Sequence, residues 1–186
     1  MSNKTIFQEK NTRLNANNIN LTSILETINN LPSAGSGGGT DGDKIVADFI
    51  ANKLENFEND YLTTTHSSCI ANKTKLKSVS LPSVVTIQSY AFNGCSVLES
   101  VSLTNVTTIN ANGFYSCPKL TNLFLRGSTV CTLSNTNALS SSLIASGTGY
   151  IYVPDELIDQ YKSATNWSTY ASQIRTLGSY IGGSIE

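Results

Sequence analysis

Residues 76–97 (LKSVSLPSVVTIQSYAFNGCSV) and residues 98–119 (LESVSLTNVTTINANGFYSCPK) lie over each other along their whole length without a gap. Leu76 falls on Leu98, Val79 on Val101, Leu81 on Leu103, Val84 on Val106 and Ile87 on Ile109. Phe92 then falls on Phe114, and Cys95 on Cys117. A fixed period of 22 residues with one apolar type at each slot describes a solenoid. In such a chain each coil buries its hydrophobic side chains only against the coils above and below it. A third copy starts at Leu120 and keeps Leu123 and Leu125 before its spacing drifts.

Inside each copy, LxxVxL reads as a short strand whose Leu, Val and Leu point into the coil. Stacked rung on rung, these strands form a parallel sheet with rungs about 4.8 Å apart. The turn at Pro82-Ser83 or Thr104-Asn105 leads to VxxI, then to Ala91-Phe92 or Gly113-Phe114 on the far wall. The expected fold class is mainly β with short helices. It is a right-handed solenoid of coils with a parallel sheet, preceded by an amino-terminal helix and a flexible linker.

The organisation follows from shifts in pattern. Residues 1–31 carry a short a/d stripe, Leu14, Leu21, Ile24, Ile28 and Leu31, with Asn17 as a polar member of the seam. Leu at a with Ile at d favours trimers or tetramers, so an oligomerising or anchoring helix is expected here. The alternative is an amphipathic helix lying on another protein. Residues 32–44 are a Gly/Ser-rich linker. Residues 45–75 form an amino-terminal cap and a degenerate first repeat: Leu54, Phe57, Leu62 and Ile70 keep the apolar slots, and Thr65 and Lys73 break them. Residues 76–149 are the repeats proper, and 150–186 a carboxy-terminal strand and helical cap. In that cap Tyr150–Val153 alternates like a last strand, and Pro154 suits a first helical position. Leu157, Ile158, Tyr161, Trp167, Tyr170 and Ile174 continue as one apolar stripe.

Charge and chemistry exclude several classes. Charged residues are 13% and the net charge is −1, which leaves no electrostatic footprint for nucleic acid or an anionic membrane. No apolar run reaches the roughly 18 residues that a membrane span needs. The amino terminus, MSNKTIFQEK, lacks the apolar segment of a signal peptide, so Sec export is not expected. His66 is the only histidine, and neither GxSxG, HExxH nor a P-loop occurs. GSGGGTDGD lacks the terminal Lys-Ser/Thr of a phosphate loop and the ligand spacing of a calcium loop. No enzyme, cofactor or metal site is expected. Cys95 and Cys117 should stack one rung apart as buried thiols, with a disulfide as the alternative.

The strand pattern also nominates a binding surface. Its outward positions are Ser78, Ser80, Ser100, Ser102, Asn122 and Phe124, a ladder of small hydrogen-bonding groups with one aromatic at the carboxy-terminal end. Polar groups beside an aromatic plane suit a carbohydrate; the alternative is an ordinary solvated sheet face.

The pattern LxSVSLPxVxxIxxxAFxxCxxL resembles the BspA-type leucine-rich repeat, known from bacterial surface proteins. It is carried by Leu76, Val79, Leu81, Pro82, Ile87, Ala91, Phe92 and Cys95 and their equivalents one period on. The resemblance implies a leucine-rich-repeat solenoid and a role in adhesion or recognition, without any fixed catalytic or ligand residue. The first coil departs from it in lacking AF and Cys, and the third in having Leu139 at the Phe slot. The leader NKTIFQEKNTRLNANNINLTSILETINNLP resembles those of bacteriophage and prophage structural proteins. Together the two imply a virion surface protein, a head fibre, decoration or tail adhesin made in the host cytoplasm without a signal peptide. Its expected partners are other virion proteins through the amino-terminal segment, further copies of itself (a trimer), and a host-surface glycan or protein. The alternatives are a bacterial cell-surface adhesin and a purely structural capsid cement.

Overall fold

The computed structural model describes residues 55–58 and 62–180. The expected helix with Leu14, Leu21, Ile24, Ile28 and Leu31, the linker 32–44 and the first apolar positions of the cap lie outside these residues.

The period seen in the sequence is the register of a parallel sheet. Strands β1 (Asn56–Glu58), β2 (Ser78–Leu81), β4 (Ser100–Leu103), β6 (Asn122–Leu125), β8 (Tyr150–Val153) and β9 (Ile174–Thr176) lie side by side in that order, every pair parallel. A second, smaller parallel sheet is built from β3 (Thr86–Ile87), β5 (Thr108–Ile109) and β7 (Thr132–Leu133). Partners across β1–β2, β2–β4 and β4–β6 are 22 residues apart, as in Asn56↔Ser78, Ser78↔Ser100 and Ser100↔Asn122. Because strand side chains alternate, this register stacks like on like: Phe57, Val79, Val101, Leu123, Ile151 and Ile174 form one inward column. Leu81, Leu103 and Leu125 form the next, and all these side chains are buried.

The far wall is held the same way. Phe92 and Phe114, both fully buried, stack with ring centroids 5.1 Å apart and planes 13° from parallel. Beside them the Cys95 thiol donates to the Ile70 carbonyl and the Cys117 thiol to the Phe92 carbonyl, each at 3.1 Å. The Cys slot is therefore a small apolar group that also satisfies a carbonyl one rung back. The wall turns through left-handed residues at repeating positions. One column holds Ser68, Tyr90 and Asn112; another holds Asn72, Gly94, Ser116 and Ser141. Gly94 is needed for space as well as for its φ of +73°, since a Cβ there would run into the Asn72 Oδ1.

The degenerate first coil keeps its polar substitutes inside. Thr65, at an Ile slot, is fully buried, and its Oγ1 accepts the Gln88 N–H at 2.8 Å. Lys73, at the Cys slot, is 7% exposed. In the third coil the drift has a structural form. Thr108 pairs with Thr132, Phe114 N–H bonds to the Ala138 carbonyl and Asn122 pairs with Tyr150, so each wall gains residues without losing register. Leu139 fills the Phe slot and is buried. Gly149 lets the chain back into the sheet, because a Cβ there would meet the Thr121 carbonyl and the Ile144 nitrogen at 2.8 Å.

The tail differs from the sequence reading in two respects. Tyr150–Val153 is not the last strand: Ile174, expected in a helical stripe, opens β9 and pairs with Ile151. Burial of Ile174 beside Ile151 extends the inward column by one more rung, which outweighs continued helix. The helix itself is short. Pro154 precedes a 3-10 turn over Asp155–Leu157 instead of starting the helix, and α1 spans only Ile158–Ser163. Ala164 is extended and Asn166 left-handed, which stops it. Trp167 and Tyr170 follow in a second 3-10 segment and are buried.

These aromatic side chains close the smaller sheet, which ends at β7. Tyr161 Oη accepts the Cys131 N–H at 2.9 Å, and Trp167 Nε1 donates to the Cys131 carbonyl at 2.6 Å. Asn166 Nδ2 donates to the Leu133 carbonyl and Tyr170 Oη to that of Thr136, each at 2.7 Å. Backbone groups that would otherwise pair with a further coil are thus met by side chains.

Candidate recognition surface

The outward side chains of the larger sheet stand in two columns set by strand register. One runs Asn56, Ser78, Ser100, Asn122, Tyr150, and the other Glu58, Ser80, Ser102, Phe124, Tyr152, Arg175. The six residues nominated from sequence therefore share one face. Ser78, Ser80, Ser100, Ser102 and Asn122 are half-buried, as short side chains flanked by neighbours of similar size on adjacent strands. Ser78 Oγ donates to Asn56 Oδ1 at 2.6 Å, Ser102 Oγ accepts from Arg126 Nε at 3.2 Å, and Asn122 Nδ2 donates to Thr121 Oγ1 at 3.2 Å.

Phe124 requires a correction. It lies on the expected face but is 1% exposed and offers no open ring. Tyr152 stacks on it at 4.8 Å, the Tyr180 ring meets it edge-on at 4.9 Å, and the Arg126 guanidinium lies 5.7 Å from its centroid. The large apolar ring on an outward position is covered by its neighbours on the next rungs and by the returning tail. The aromatic exposed on this face is Tyr150, at 37%. Its ring is tilted 58° to that of Tyr152, with centroids 6.2 Å apart, and carries the Arg175 guanidinium at 4.9 Å.

Sequence reasoning missed Tyr150, Tyr152, Arg126, Arg175 and Tyr180 as members of this face. The alternation of Tyr150-Ile151-Tyr152-Val153 was a sufficient signal for the first two, since positions two apart share a face. Arg175 and Tyr180 follow β8 by a connection outside the repeat, so no spacing announced them.

Electrostatics grade along the sheet. At the amino-terminal end Glu55 and Lys77 pair at 2.8 Å, which lowers the Glu55 carboxyl and raises the Lys77 ammonium from their ordinary values. At the other end stand Arg126 and Arg175, neither in an ion pair with a described residue. Burial, with the Tyr180 and Tyr150 phenols nearby, pushes the Tyr152 hydroxyl up. Away from this face, burial pushes Cys131 and Tyr161 each up to about 12. Among the described residues no cluster of His, Cys, Asp and Glu is placed to hold a metal ion, and no helix is long and apolar enough to cross a membrane.

A stack of short parallel strands with an inward Leu/Val ladder, a Phe-lined far wall and an outward polar face defines a leucine-rich-repeat solenoid. The family described as BspA type Leucine rich repeat region matches residues 50–148 in 6 copies, and the chain belongs to that family. No curated protein matches the chain. Repeats of this kind form surface or recognition modules.

Proposed function

We propose that the chain is a non-catalytic recognition module, displayed on a virion surface, whose contact area is the outer face of the larger sheet. The observation that carries the contact area is the register of that face. Two columns of polar side chains, with Glu58 the one charged member, run across β1, β2 and β4 and lead to aromatic and cationic groups on β6, β8 and β9. Set by backbone pairing, such a face presents groups at fixed spacing, which lowers the entropic cost of ordering them at binding. Virion display is supported by the resemblance of residues 1–31 to leaders of phage structural proteins, and the short a/d stripe there suits attachment or trimerisation.

Attachment of labelled full-length chain to host cells tests the contact area. Ser100→Glu should abolish attachment, and Thr108→Glu, on the smaller sheet, should leave it unchanged. Loss with Thr108→Glu and retention with Ser100→Glu would move the contact area to the other wall. Mass spectrometry of purified virions tests the placement, and absence of the chain from them would refute it.

A further inference from the structure

Arg175 is held in an unusual way for a surface cation. Its Nη1 donates to the carbonyls of Ser172 at 2.8 Å and Ile174 at 3.0 Å, while the guanidinium lies against the Tyr150 ring. A long side chain that is ordinarily free to sample many rotamers is thereby fixed before any ligand arrives. No hydrogen bond or ion pair with a described residue occupies Nε or Nη2. That leaves one two-pronged edge, whose geometry matches the two oxygens of a planar carboxylate.

The neighbours of this edge are those of a sugar. Tyr150 and Tyr152 form an angular corner, and Tyr150 leaves 37% of its surface open beside the guanidinium. One rung away Asn122, opposite Tyr150, uses one amide hydrogen on Thr121 and retains its Oδ1 and a second N–H. A further rung back stands the Ser100 hydroxyl. Cation, apolar edge, amide and hydroxyl follow one another at rung spacing, about 4.8 Å, a length comparable to a pyranose ring.

We propose that Arg175, Tyr150 and Asn122 form a site for a carboxylate-bearing pyranose, a hexuronate unit of an acidic polysaccharide. The Nε/Nη2 edge takes the carboxylate, the Tyr150 ring packs against sugar C–H groups, and Asn122 and Ser100 bond ring hydroxyls of the next unit. This rests on the reading of the sheet face as the contact area and names its ligand.

The test is calorimetric titration of the full-length protein with galacturonate, glucuronate and mannuronate oligosaccharides, each as free acid and as methyl ester. At least one acid should bind, its ester at least about tenfold more weakly. Arg175→Gln should weaken the acid by about 10- to 100-fold and the ester by much less. Tyr150→Ala should weaken both, with melting temperatures confirming that the variants fold. Binding should fall on going from about 50 mM to about 500 mM salt. Equal binding of acid and ester, or no binding of any acid, overturns the hexuronate assignment. If Ser100→Glu nonetheless abolishes cell attachment, the sheet face stands and only its ligand is wrong. Attachment that ignores Ser100→Glu overturns the face reading itself.

Discussion

The regular coils, 76–119, and the closing segment, 120–180, meet the same requirement by opposite means. In the regular coils the strand backbone of each rung pairs with its equivalent in the next, and each slot packs on its own copy, as Phe92 does on Phe114. The closing segment has no next copy. It adds β8 and β9 to the larger sheet, and to the smaller one it offers Tyr161, Asn166, Trp167 and Tyr170 as hydrogen-bonding stand-ins. Repetition distributes stability over nearest neighbours, whereas a cap concentrates it in a few side chains without substitutes.

Single substitutions should expose that contrast. Trp167→Ala removes a fully buried indole and leaves the Cys131 carbonyl unmet, so a loss of about 5 kcal/mol is expected by urea unfolding. Phe114→Ala should cost about 3–5 kcal/mol and, unlike the cap variant, should leave protection of the β7 amides against hydrogen exchange as strong as that of its neighbours. Tyr161→Phe keeps the ring and orphans the buried Cys131 N–H, for a loss of about 1–3 kcal/mol.

The cap should also weaken in base. Tyr161 and Cys131 have folded-state values raised to about 12, from 10.0 and 9.0. Below pH 9 both are protonated whether folded or not, and their contribution is complete. As pH rises from 9 to 12 the unfolded chain loses these protons first, so stability falls across that window. In pH-dependent melting, Tyr161→Phe should flatten the decline above pH 10, the ordinary value for that phenol.

Smaller effects should separate strain from surface charge. Tyr90 has a φ of +62° and is 44% exposed, at a slot where the next coil has Asn112. Tyr90→Asn should therefore stabilise the fold, by about 0.5–1 kcal/mol, since Asn tolerates the left-handed region better. Lys77→Gln, which breaks the exposed pair with Glu55, should leave the melting temperature unchanged.

The sequence made the regular coils legible because identical slots recur at one spacing. Val79 on Val101 and Phe92 on Phe114 in the alignment are the strand register and ring stack of the structure. It was also legible that Thr65 and Lys73 sit at core slots, although not that Thr65 would be satisfied by the Gln88 amide. What escaped was non-periodic. Ile174 fits a helical stripe by spacing, but the return of the chain after α1 puts it on the sheet edge. Phe124 was correctly placed by alternation, yet its exposure depended on Tyr180, which no repeat relates to it. Alternation says which way a side chain points and leaves open what lies over it.

The most direct measurement is cell attachment of the labelled full-length chain, comparing Ser100→Glu on the larger sheet with Thr108→Glu on the smaller. Both changes fall on outward positions of paired strands, so both should fold alike by melting temperature. Attachment lost with the first and kept with the second is the expected result. Attachment kept with the first would show that the outer face of the larger sheet is not the surface that recognises.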